Sequence, residues 1–241
     1  MVVFSKIAND EDYIRSEAEF GGDQVTKEKL RNIKDAVKLV FGQTDEFLEF
    51  NLELSHKIHR EIYKGKPDAG VLHDPAKHGS FTSQGSRAAG LSVSDVEEKL
   101  KELFELCGSR INQTKTLSRD DKFYIAAYFI HRYLKLHPYK NGNGRVARLM
   151  TCQLLMQLGA ISHPLRFDKP ENSRERYIDG LLKTGVTGPE SVDELAVLKN
   201  IIKEAARTDD QQPSSSRRCG EAFSVNADST ANYCVRLIEQ S

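Results

Sequence analysis

The sequence predicts an all-α protein, a helical bundle carrying one short non-helical flap. Apolar residues recur at three- and four-residue spacing in most segments of the chain. Glycines and prolines mostly punctuate these runs instead of interrupting them. One stretch, Asp68 to Leu91, breaks the helical pattern and is rich in glycine and serine. With 241 residues, 39% hydrophobic and 8% aromatic, the chain is long enough for one large domain with appendages.

Thr26 to Val40 sets Leu30, Ile33, Val37 and Val40 at helical spacing. Phe47 to Tyr63 continues with Leu52, Ile58 and Ile62, until Gly65 and Pro67 end the pattern. Ala69 to His73 and Gly79 to Ser83 read as a short β-hairpin or extended flap, against the simpler alternative of a surface loop. Ser94-Asp95-Val96-Glu97 has the spacing of a capping box opening a helix to about Leu106. Asp121 to Leu136, dense in Ile, Ala, Tyr and Phe, reads as the buried central helix. Arg145 to Leu158 follows and stops at Gly159. Pro170 and Pro189 each suit the first position of a helix, running to about Leu182 and Ala206. From Asp209 onward the chain is polar and rich in Ser and Gln, a composition that disfavours a packed core. The expected division is an N-terminal helical extension at 1–44, a principal domain at 45–206 and a polar tail at 207–241.

Lys+Arg and Asp+Glu balance at 35 each, which gives no bulk electrostatic case for nucleic acid or an acidic membrane as partner. No apolar run approaches the roughly 20 residues of a bilayer span. The N-terminus lacks a signal-peptide pattern, and Cys107, Cys152, Cys219 and Cys234 lack paired metal spacing. A reduced, cytoplasmic setting is the expectation.

The chemistry concentrates in His137-Pro-Tyr-Lys-Asn-Gly-Asn-Gly-Arg-Val-Ala-Arg148. A glycine-rich turn here opens onto an apolar helix, and helix N-termini present backbone N–H groups and a favourable dipole to anions. Gly142 and Gly144 permit positive φ and close backbone approach, and Asn143 could hold the loop or contact a phosphate. Arg145 and Arg148, three apart, share a face of the first turn, and guanidinium forks suit phosphate oxygens. His137, tuned near neutral pH, is a candidate base beside this cradle, and it could also cap the preceding helix. Pro138 forces the helix to stop, and Tyr139 anchors the loop in the core while its hydroxyl needs a partner. His56 and His59 lie three apart on a helix, with no acid or cysteine to make a metal site.

This segment resembles the Fic family signature, H-P-F-x-[D/E]-G-N-G-R-x-x-R. His137, Pro138, Tyr139 for Phe, Gly142, Asn143, Gly144, Arg145 and Arg148 follow it, and Asn141 stands at the acidic position. The resemblance covers roughly residues 45 to 205. It implies a Fic-type helical bundle in which a β-hairpin flap, near residues 69–83, holds a protein target by strand-type pairing. It implies a protein adenylyltransferase, moving AMP from ATP to a Ser, Thr or Tyr hydroxyl. His137 and Arg145 are then catalytic, and Gly142, Asn143, Gly144, Arg145 and Arg148 bind the nucleotide. Tyr177 and Asn172 fall where the family's nucleobase pocket lies; packing of Tyr177 into the core is the competing reading. In the family the acidic residue binds Mg²⁺, so Asn141 would offer that ion one neutral oxygen in place of a carboxylate. Alternatives within the resemblance are a phosphoryl or phosphocholine transferase, or a nucleotide-binding regulator with weak catalysis. Outside it stands a helical adaptor using the flap as a docking edge. Many Fic proteins also carry an inhibitory helix, [S/T]-x-x-x-E-[G/N], whose glutamate pairs with the second signature arginine. Ser16 to Gly21 matches that frame with Phe20 in the glutamate's place, and a phenylalanine cannot pair with Arg148.

Overall fold

A computed structural model describes residues 7, 9–20, 24–42, 47–74, 91–168, 173–183 and 192–207. These residues form helices α1 (Glu11–Phe20), α2 (Lys27–Phe41), α3 (Leu52–Ile62), α4 (Val93–Ile111), α5 (Arg119–Leu136), α6 (Asn143–Gln157), α7 (Ser173–Lys183) and α8 (Val192–Arg207). No strand occurs among the described residues. The all-α expectation holds. Of the expected flap, residues 67–74 are turn and irregular chain, and 75–90 lie outside the described residues. The expected polar tail lies outside them from 208 onward.

Side-chain caps set most helix starts. Thr26 and Asn51 accept the backbone N–H groups of Lys29 and Leu54, satisfying donors that have no intrahelical partner. The capping box at α4 uses Ser92 and Asp95, not Ser94 and Glu97, and the helix runs on to Ile111. Ser118 and Asp121 make a second capping box that opens α5. Helix α3 starts at Leu52 because Asn51 caps it, so residues 47–50 lie outside the helix and lay Phe50 against Phe104 and Phe129.

The most enclosed helix is α6, not the 121–136 helix that the sequence marks as central. Every α6 residue from Arg145 to Met156 is buried, and the helix touches α2, α3, α4 and α5. Its polar residues mask this in the sequence. Thr151 donates to the Ala147 carbonyl at 2.7 Å and Gln153 to the Leu48 carbonyl at 2.7 Å, so both are buried with partners. Helix α5 packs along α6, and α8 packs along α5. One hydrophobic cluster runs from Ile7 through Val40, Ile58, Phe129 and Leu149 to Ala205, so α1 and α2 share the core of the later helices. The arrangement brings the C-terminal end of α5 and the N-terminal end of α6 together, with α1 and α3 beside them.

Candidate active site

The 137–142 turn between α5 and α6 is held by contacts from α3, from His73 and from Asn143. At its start, His137 caps α5 in the left-handed region at φ 48° and ψ 58°, the one described non-glycine residue with positive φ. Its N–H still donates to the Tyr133 carbonyl at 3.2 Å. Pro138 cannot continue the helix, and the residue before a proline avoids the right-handed helical region. A strained backbone of this kind costs of order 1–3 kcal/mol and persists only where its surroundings over-determine it. Here the N–H of His73 fixes the next carbonyl, that of Pro138, at 2.7 Å. Burial, then the nearby His73, lowers the His137 pKa below its ordinary value, so the ring is neutral at pH 7.

Tyr139 is fully buried, and its hydroxyl has found two partners. Ser55 lies at 3.0 Å and His56 Nδ1 at 2.9 Å, while Ser55 also meets Tyr133 at 2.7 Å. Asn143 is a clasp: its Oδ1 accepts the Tyr139 N–H at 2.9 Å and its Nδ2 donates to the Tyr139 carbonyl at 2.6 Å. Of the two roles open to it, the side chain takes the holding one. Its backbone N–H remains at the helix N-terminus.

Gly142 has φ 77° and no side chain caps α6. A Cβ there would fall 2.3 Å from Tyr63 Cε2, so both conformation and space require glycine. Gly144 differs from expectation. It is helical, without positive φ, and what its lack of a side chain permits is the approach of Arg148, whose Nη1 would lie 3.3 Å from a Cβ. The first N–H groups of α6 point out of an uncapped helix end, where the dipole favours an anion. Arg145 is 7% exposed and donates to the Tyr63 hydroxyl at 3.4 Å.

Arg148 departs most from the sequence reading. Its guanidinium lies 4.5 Å over the Phe20 ring, so Phe20 does contact it, as a cation–π partner. The carboxylate comes from one turn earlier. Glu17, 2% exposed, takes Arg148 Nε at 3.0 Å and Nη2 at 2.9 Å. The pairing that Phe20 cannot make is thus made by Glu17. The expected pattern places the acid four residues after Ser16; the helix presents the residue three earlier on the same face. Tyr177 is buried against Phe20 and Phe167, with ring centroids at 5.6 and 5.1 Å. Burial raises its pKa, and its hydroxyl has no hydrogen-bond partner among the described residues. Asn172 lies outside the described residues.

Asn141 and Lys140 are exposed, and the Asn141 carbonyl is bonded to His59 Nε2 at 3.1 Å. As a Mg²⁺ site this set does not fit. Residues 137–148 contain no carboxylate, the one side-chain oxygen at the acidic position is a neutral carboxamide, and the neighbouring carbonyl is already engaged. No cluster of three metal-ligating side chains occurs among the described residues. Sequence reasoning missed Glu17, Ser55, His59 and Tyr63. The last three lie at positions 55, 59 and 63, a four-residue spacing that puts them on one face of α3. The thiols of Cys107 and Cys152 are buried, which pushes both up to about 12. No helix among the described residues is long and apolar enough to cross a membrane.

Residues 49–155 match the Fic/DOC family. A Fido domain-containing protein of Dictyostelium discoideum is 28% identical over 50 residues, a match covering 21% of this chain and 35% of that protein. The chain therefore spans about a third of that relative's length. Among solved structures, Fic-1 from C. elegans superposes with a TM-score of 0.58 at 18% identity, over 87% of this chain and 62% of that one. A Fic domain-containing signalling protein from Bacteroides thetaiotaomicron gives 0.55 at 11% identity, over 98% and 88%. The N-terminal Fic domain of a Bartonella effector gives 0.52 at 19%, over 76% and 83%.

The site's histidines carry a pH prediction. Burial takes His59 from the ordinary 6.5 down to about 4, and burial also lowers His56 and His137. An unfolded chain protonates all three near 6.5. Between 6.5 and about 4 the unfolded chain therefore binds a proton at His59 that the folded chain does not. Stability should fall as pH falls through that window, by about 1.4 kcal/mol per pH unit from His59 alone. Above 6.5 this contribution is flat. Urea unfolding across pH 7 to 5 checks it: His59→Phe should shallow the slope by about one proton, and an unchanged slope would contradict the assignment.

Proposed function

Because residues 49–155 of this chain match the Fic/DOC family, we propose that it is a transferase moving AMP from ATP onto a side-chain hydroxyl of a protein target. One observation supports this most. A neutral histidine on a strained cap is the first residue of the turn that leads into the uncapped, glycine-opened N-terminus of α6.

In this reading the phosphates of ATP lie against the backbone N–H groups of Asn143 and Gly144 and against Arg145. His137 removes the proton of the acceptor hydroxyl. The hydroxyl oxygen bonds to the α-phosphorus as the bond to the departing pyrophosphate breaks. Arg145 and the helix end stabilise the charge that develops on the phosphates, and the fixed turn supplies orientation. No step is assigned to a metal ion. The target docks at the flap that begins near residue 69. Glu17 occupies Arg148 in the described conformation, so this state is held back, and full use of the cradle requires Glu17 to release it. A nucleotide-binding regulator with weak catalysis is the second reading. It is favoured by the exposed carboxamide of Asn141 where a carboxylate would serve better.

Label transfer from ATP to a protein acceptor, with the chain itself as first acceptor, tests the reading. Label in the α position should transfer and label in the γ position should not. His137→Ala should lower transfer by about 10²–10⁴-fold, the worth of general-base assistance, while ATP affinity changes little. Transfer at the parental rate by that variant would remove His137 from the chemistry, and γ-label transfer would make the chain a phosphoryl transferase.

Asn141→Asp is nearly isosteric and adds a hard, charged oxygen. It should make transfer rise with added magnesium where the parent responds little, measured by magnesium titration of both proteins. No gain in activity from the variant would favour the regulator reading.

A further inference from the structure

We propose that His59 is a positioning residue: it turns the Asn141 carbonyl away from the anion-binding helix end and ties that turn to the 70–73 segment. This rests on the nucleotide-binding reading above.

Both ring nitrogens of His59 are committed to backbone. Nδ1 accepts the Gly70 N–H at 2.7 Å, and Nε2 lies 3.1 Å from the Asn141 carbonyl. An amide N–H can only donate and a carbonyl can only accept, so the bonds specify a neutral ring with its proton on Nε2. The ring is 2% exposed and sandwiched between aromatic faces. Tyr139 stacks on it at 3.9 Å and 15°, Tyr63 at 4.8 Å and 21°. One side chain of α3 thus holds two backbone segments whose own side chains play no part in the contact.

Each segment matters to the site. The Asn141 carbonyl immediately precedes Gly142, where the chain turns left-handed to open α6. A carbonyl facing the helix end would set its negative dipole against an incoming anion; bonded to His59, it faces α3 instead. The same stack shapes the next residues, because Tyr63 fills the space beside Gly142 and receives Arg145. On the other side, Gly70 adopts φ 76° and has no room for a Cβ, which would lie 2.5 Å from Arg60 Cγ. The chain leaves Gly70 toward His73, whose N–H meets the Pro138 carbonyl at 2.7 Å. The 70–73 segment is therefore fastened to the 137–142 turn at two points, one through His59 and one directly.

Three substitutions separate the two bonds. His59→Gln reaches the Nε2 position and restores a donor to Asn141. His59→Asn reaches the Nδ1 position and restores an acceptor for Gly70. His59→Phe keeps the stacking and restores neither. ATP affinity by calorimetry reads the first contact, and amide hydrogen exchange at Gly70 and at residues 142–144 reads both. His59→Phe should weaken ATP binding roughly three- to tenfold, the worth of one neutral hydrogen bond, and speed exchange at both segments. His59→Gln should recover ATP affinity and slow exchange at 142–144 while Gly70 stays fast, and His59→Asn should do the reverse. Losses in His59→Gln and His59→Asn with none in His59→Phe would overturn the proposal, since the ring would then act by packing alone; so would equal losses in all three variants, or none in any. If the parent protein binds no ATP, the functional reading fails, and exchange at 142–144 and Gly70 still decides the role of His59.

Discussion

The ion pair between Glu17 and Arg148 is the constraint on which the site depends. Both groups are withdrawn from water, with side chains 3% and 4% exposed. Neither charge is tolerable there without the other: removing one partner of a buried pair costs about 3–5 kcal/mol, because the remaining charge stays buried and uncompensated. The pair therefore seats α1 against the start of α6. Around it, Phe20 covers the guanidinium, Tyr177 and Phe167 pack on Phe20, and Tyr13 lies beside Cys152. The N-terminal helix thereby becomes part of the wall of the site.

A second layer of order comes from α3. Ser55, His56, His59 and Tyr63 reach the 137–142 turn from below and use its backbone and the Tyr139 hydroxyl as their partners. Strain at His137 is thus surrounded by contacts that cannot relax independently. Such preorganisation is what a transfer reaction asks of a protein that supplies little covalent chemistry of its own: fixed donors and a fixed base, placed before the substrate arrives. The same contacts explain why Gly142 has no alternative, since the ring that supports Arg145 occupies the space of a side chain.

Much of this was legible in the sequence, and the reason is locality. The turn, its glycines, its arginines and its histidine are twelve consecutive residues, and the helices on either side follow from apolar spacing. What stayed hidden depends on contacts distant in the chain. Glu17 and Arg148 are separated by 131 positions, and no periodicity links them. His59 looked like one of two histidines without a metal partner, because its partners are backbone groups that the sequence does not distinguish. The enclosure of α6 was masked by Arg145, Arg148, Thr151 and Gln153, which read as a polar face until their partners are known. At α4 the cap shifted by two residues, from Ser94 to Ser92, because both serines begin acceptable capping patterns and only the backbone decides between them.

The central claim is that the start of α6 is a nucleotide-phosphate site whose second arginine is held by Glu17. Glu17→Gln tests it most directly, since it keeps the shape of the side chain and removes the charge that occupies Arg148. ATP binding by calorimetry, with folding checked by thermal unfolding, should show a less stable protein that binds ATP about tenfold or more tightly, the scale of a released charge-assisted contact. A folded variant that binds ATP no better than the parent, or neither protein binding it at all, would contradict the account.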